Sequence, residues 1–166
     1  MIRNSIIIFL LLLLAPSAAF TETLGDIRLS LIDGDVQVRT SDTEEWAPAS
    51  INLPLRGGDS IWVPDGGRTE LQTKDGTHLR LNEGSALEIL ASEDGSYQFY
   101  LAQGRAYINF GARDDSVIQI DTPLSSTRVF EKTVFKVDVD EDGNSTVSVI
   151  RGLVDVESKS GRSSIN

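Results

Sequence analysis

From Ile27 onward, apolar residues recur at every second position rather than at helical spacing, the pattern of strands that bury one face. Ile27, Leu29 and Leu31 alternate with Arg28 and Ser30. Val36 and Val38, Leu79 and Leu81, Leu87 and Ile89, and Tyr97 with Phe99 and Leu101 continue the pattern. So do Ile118 and Ile120, Phe135 with Val137 and Val139, Val147 and Val149, and Val154 and Val156. Asp33-Gly34, Asp65-Gly66, Asp75-Gly76, Asp94-Gly95 and Asp142-Gly143 punctuate the runs, and Asp-Gly tolerates the positive φ of tight hairpin turns. The chain is therefore predicted to be all-β, with about a dozen short antiparallel strands joined by hairpin turns into a rolled sheet or β-sandwich. The alternating residues are its predicted core, Phe135 among them.

Three segments echo one another: Leu31 to Val38 around Gly34, Leu101 to Ile108 around Gly104, and Val149 to Val156 around Gly152. Each reads as strand, glycine bend, strand. Their uneven spacing excludes a regular solenoid. Either one corner geometry is reused, with glycine where the backbone kinks, or a common hairpin pattern recurs by chance.

The first residues carry a different signal. Arg3, the apolar run Ile6 to Leu14, Pro16 and the small residues Ser17, Ala18 and Ala19 read as a secretory signal peptide, so the mature chain is expected to begin near Phe20. The apolar run is too short to cross a bilayer, which takes about 20 residues. The predicted organisation is a signal peptide over 1–19, a linker over 20–26, one β domain over 27–157 and a disordered polar tail over 158–166. A periplasmic or secreted location follows, without stable membrane insertion of the mature chain.

Composition narrows the function classes. The chain has no cysteine, so no disulfide supports it in an oxidising compartment and packing must suffice. A formal net charge of −10 repels phosphate backbones, and nucleic acid is not an expected partner. Zinc, haem and iron–sulfur sites need Cys or several His, and His78 is the one histidine. Alternation turns His78 outward with Arg80. No G-x-S-x-G elbow, P-loop or G-x-G-x-x-G is present, so no catalytic or cofactor-binding residue is assigned, no cofactor is expected, and the chain is not read as an enzyme.

Asp138-Val139-Asp140-Glu141-Asp142-Gly143 matches the first six positions of a calcium loop, but Val149 stands where the closing Glu is needed. A hairpin with an acidic outer face and turn is the preferred reading, and no metal ligand is assigned. Trp46 and Trp62 lie beside prolines and apolar residues near strand ends, where core packing is preferred. Exposed, they would join Tyr97 and Tyr100 as sugar-stacking platforms, which keeps a carbohydrate-binding β domain as the alternative.

In order, Gly34-Asp35-Val36, Glu45-Trp46-Ala47-Pro48-Ala49, Leu55-Arg56-Gly57-Gly58-Asp59, Gly67-Arg68-Thr69-Glu70-Leu71, Asp75-Gly76-Thr77 and Leu79-Arg80-Leu81 resemble the FecR domain. Leu101 to Gly104, Ile120-Asp121-Thr122-Pro123, Phe135-Lys136-Val137 and Val149 to Val156 extend the resemblance, with Glu131-Lys132 a modest departure where the family often carries glycine. The resemblance implies a non-catalytic β domain outside the cytoplasm. In family members that regulate iron uptake, it implies a relay from a TonB-dependent receptor through a membrane helix to a sigma-factor-binding segment. Here the hydrophobic stretch opens at the N-terminus, so the chain looks closer to exported members. The expected function is a non-catalytic envelope protein-interaction or signal-relay module, its partner another envelope protein.

Overall fold

The computed structural model describes residues 25–93, 95–113 and 116–166. The predicted signal peptide, most of the linker and Asp94 lie outside these residues. Fifteen strands and no helix form among the described residues.

One layer contains β1 (Ile27–Asp33), β4 (Pro54–Leu55), β6 (Arg68–Thr73), β7 (His78–Leu81), β12 (Thr133–Val139) and β13 (Ser145–Arg151). The other contains β2 (Gln37–Arg39), β3 (Trp46–Pro48), β5 (Ser60–Val63), β8 (Ser85–Glu93), β10 (Val117–Asp121), β11 (Ser125–Val129), β14 (Val154–Ser158) and β15 (Gly161–Ile165). The longest strand, β9 (Ser96–Phe110), belongs to both. Its first half pairs with β8 and β10, and its second half with β7 and β12. The first layer thus runs β4-β1-β6-β7-β9-β12-β13 and the second β3-β2-β5-β8-β9-β10-β11-β14-β15. A continuous sheet is folded on itself along β9, and one hydrophobic core fills the fold. Ile27, Leu29, Leu71, Ile108 and Phe135 come to it from the first layer and Val38, Ile61, Phe99, Ile120 and Val154 from the second. Each such apolar side chain contributes about 1.5–3 kcal/mol relative to exposure, which is the support left to a chain without disulfides.

The three glycine echoes are corners. Gly34, with φ 82°, takes the chain from β1 to β2, and Gly152, with φ 98°, takes it from β13 to β14; both moves cross between layers. Gly104, with φ 90°, makes the same crossing inside β9. Buried residues in β9 accordingly change parity there, from Tyr97, Phe99 and Leu101 to Ala106, Ile108 and Phe110.

Four expectations need correction. Leu31 is 42% exposed, because a register shift between Leu29 and Leu31 changes the phase of β1 and turns the partly buried Ile32 to the core instead. The sheet is not wholly antiparallel: β10 runs parallel to the first half of β9. β9 ends in the first layer at Phe110, and β10 lies in the second layer running in the direction of the first half of β9. Strands exceed a dozen, and β3 and β4, with three and two residues, are too short to show periodicity. The tail expected to be disordered contains β15, which pairs with β14 from Val154↔Ile165 to Ser158↔Gly161. As an edge strand exposed on both faces, it is held by backbone hydrogen bonds and so lacks an alternating apolar face.

Candidate interaction surface

The outer face of the first layer gathers ionisable groups. The Asp75-Gly76 turn sets β6 and β7 in a register that puts Glu70 opposite Arg80 and Gln72 opposite His78. Glu70 is the hub of the cluster. Its Oε2 accepts from Arg80 Nε at 2.6 Å, while Oε1 accepts from Ser30 Oγ at 2.8 Å and lies 3.0 Å from His78 Nδ1. Burial works to raise the Glu70 pKa, but hydrogen bonds with His78, Ser30 and Arg80, with the charge of His78, outweigh it and hold the carboxyl below its ordinary 4.5. Ser30 donates to the carboxylate rather than to the imidazole, so the order a Ser–His–acid triad needs is not formed.

The row continues through β9 and β12, where Tyr107 stands opposite both Arg80 and Lys136. The Arg80 guanidinium lies 5.9 Å from the Tyr107 ring centroid. One row over, Arg105 pairs with Asp138.

The acidic β12–β13 turn is organised around Asp140. Its Oδ1 accepts from the Asp142 and Asn144 amides at 3.0 and 2.8 Å, and its Oδ2 from Asn144 Nδ2 at 3.1 Å. The Asn144 side chain leads the hydrogen bonds that hold the Asp140 carboxyl below its usual value. Asp138 faces Arg105 while Asp140 caps the turn, so these carboxylates serve separate partners. Among the described residues, no group of three or more His, Cys, Asp or Glu is placed to hold a metal ion.

The aromatic candidates scatter. Trp46 is 49% exposed on β3, the outermost strand of its layer, with the Arg39 guanidinium 5.3 Å from its ring centroid, against the expectation of core packing. An edge strand has one neighbour, and all three residues of β3 are exposed. Trp62 is half-buried and points away from the core that takes Ile61 and Val63. Tyr97 is 1% exposed and Tyr100 half-buried, so Tyr97 offers no stacking face. The buried Tyr97 hydroxyl forms no hydrogen bond of full geometry, although the Thr73 side chain and the Asp75 backbone favour its charged form slightly; burial first, then the Asp75 charge, outweighs them and pushes its pKa up to about 12.

The Leu55 to Asp59 motif is structural. Asp59 is buried, its Oδ1 accepting from the Ser41 amide at 2.8 Å and its Oδ2 from the Arg56 amide at 3.0 Å, which ties two loops together. Outward position was legible for His78 and Arg80, but their meeting with Glu70 was not, because it depends on the register between β6 and β7.

Taken together, the chain is a two-layer all-β domain with a charge-paired outer face. It belongs to the FecR protein family, whose model matches residues 59–155, from just before β5 into β14. Two crystal structures of a protein from Parabacteroides distasonis ATCC 8503, described as a candidate anti-sigma factor, align with 64% of this chain at 19% identity and a TM-score of 0.57. That similarity is one of fold, and this chain spans 50% of the length of theirs. No curated protein matches the chain.

Proposed function

We propose that this chain is a non-catalytic protein-interaction module of FecR type that takes part in signal relay outside the cytoplasm, with another envelope protein as its partner. Membership of the FecR family over residues 59–155 carries this reading. The arrangement of charged groups supports it, because Glu70 and Asp59 are engaged in ion pairs and loop ties, and Asp138, which lines a cleft with Glu83 and Asp140, is paired with Arg105. The cleft of about 450 Å³ between β13 and the β14–β15 hairpin is lined by groups such as Val147, Val156, Asn144 and Lys159, with no acid–base pair among them. Among the described residues, no helix is long and apolar enough to cross a membrane. Export rests on the Ser17-Ala18-Ala19 cleavage pattern.

In-cell cross-linking of the tagged chain in envelope fractions tests the reading. One specific partner, competed away by untagged mature domain, supports it; a turnover activity lost in Glu70→Gln or His78→Gln defeats it. Mass spectrometry of the exported protein should show a start near Phe20, and residues 1–19 still attached would remove the export step.

One observation favours a second reading, a carbohydrate-binding domain: Trp46 presents an exposed indole. Specific binding on a glycan array that disappears in Trp46→Ala would establish it over the first.

A further inference from the structure

On a chain of net charge −10, the outer face of the first layer is cationic. Each carboxylate there is already taken. Glu70 faces Arg80 and His78, Asp138 faces Arg105, and Asp33 Oδ2 accepts from Arg68 Nε at 2.9 Å. Cations are left over. Arg28 donates only to amide oxygens, those of Asn52 at 2.8 Å and Gln72 at 2.6 Å. Lys136 on β12 and Arg151 on β13 form none of the ion pairs found among the described residues. Tyr107, half-buried, stands between Arg80 and Lys136 across three adjacent strands. Excess acid sits instead in the loops, at residues such as Asp65, Glu83 and Glu141.

We propose that this face, centred on Tyr107 between Arg80 and Lys136, is where the module meets its partner, and that the partner presents an acidic protein segment. The inference rests on the interaction-module reading and adds to it the face and the chemistry of the partner. Unpaired cations on a flat strand surface attract carboxylates and steer their approach. Tyrosine and arginine at the centre supply contact area of the kind that dominates binding energy at interfaces. A short acidic segment fits better than an extended polyanion. Surface charges act over about 8–10 Å in physiological salt, so a nucleic acid or an anionic bilayer reaching past the face meets the acidic loops, whereas a segment confined to the face does not.

The test uses the mature chain and a labelled peptide of roughly ten residues alternating Glu and Thr, which places carboxylates along one side of an extended strand. Fluorescence anisotropy should show binding that weakens as salt rises. Lys136→Glu combined with Arg151→Glu should weaken it by at least about tenfold, and Arg128→Glu combined with Arg162→Glu, the same charge change on the other layer, by less than about twofold. Lys136→Gln with Arg151→Gln, checked by circular dichroism, separates lost charge from lost folding.

Equal losses in both double variants, or no peptide binding, would overturn the proposal. So would tighter binding to vesicles containing phosphatidylglycerol than to the peptide, or self-association abolished by Lys136→Glu, since these name a lipid surface or a second copy as the occupant. A cross-linked partner retained by the Lys136→Glu, Arg151→Glu chain overturns the face alone and leaves the module reading standing. Absence of any partner while face-dependent peptide binding persists counts against the module reading and still supports the face.

Discussion

A β-carbon on Gly104 would lie 2.5 Å from both the Cα and the Oγ of Ser85, so the bend of β9 and the start of β8 fit together only because Gly104 has no side chain. Ser85 then closes the corner. Its Oγ donates to the Arg105 carbonyl at 3.2 Å and accepts from the Arg105 amide at 3.0 Å. The bend that carries β9 from one layer to the other is thus held by a hydroxyl packed where a side chain would otherwise stand.

Gly104→Ala should therefore be far more damaging than Gly66→Ala. Both positions have positive φ, 90° and 71°, which costs a non-glycine residue about 1–2 kcal/mol. Gly66 has open space around it, whereas Gly104 adds a backbone collision. Chemical denaturation should show a loss of about 1 kcal/mol for Gly66→Ala and well above about 2 kcal/mol for Gly104→Ala. Equal losses would mean that the corner is not a tight fit.

Glu70 should contribute to the acid limb of stability. Its pKa lies below 4.5 in the folded chain, so its contribution is complete above that value and is lost as pH falls through the lower folded value. At neutral pH Glu70→Gln should cost about 1–2 kcal/mol, because a charged acceptor to Arg80 and Ser30 is replaced by a neutral one. Well below pH 4.5 the two proteins should converge. Thermal melts across the acid range check this, and a constant difference at every pH would contradict it.

Tyr97→Phe should leave stability nearly unchanged or raise it slightly. The hydroxyl is buried with no hydrogen bond of full geometry and only weak interactions with the Thr73 side chain and the Asp75 backbone, so removing it relieves a desolvation penalty at least as large as the interaction it breaks. The ring, which is what packs against the core, is retained. A loss of more than about 2 kcal/mol would reveal a partner for the hydroxyl, such as a bridging water.

Asp59→Ala should cost about 2–3 kcal/mol, since it strands the Ser41 and Arg56 amides that a buried carboxylate now serves. Asp42→Ala removes an ion pair with Arg56 whose side chains are 67% and 58% exposed, and should change stability by no more than about 0.5 kcal/mol. Urea midpoints for the two variants give the comparison directly.

Local chemistry in the sequence was enough to determine the all-β class and the inward faces of most strands. Alternation within one strand states which side chains share a face, so Tyr97, Phe99 and Leu101 announce the core, whereas the change of parity to Ala106, Ile108 and Phe110 at Gly104 is a finding of the structure. The positive φ at Gly76, Gly95 and Gly143 bears out three Asp-Gly signals as hairpin turns, while Gly34 and Gly66, also at positive φ, join strands that do not pair with each other. Which strands lie side by side is not local, and there the tertiary structure decided. It made β10 parallel to β9, shifted the phase of β1 so that Leu31 faces outward, left Trp46 exposed on an edge, and paired a polar tail as β15. The Glu70 cluster and the unpaired Lys136 and Arg151 belong to the same category. Periodicity gives each residue a side of its own strand, but only the register between distant strands gives it neighbours.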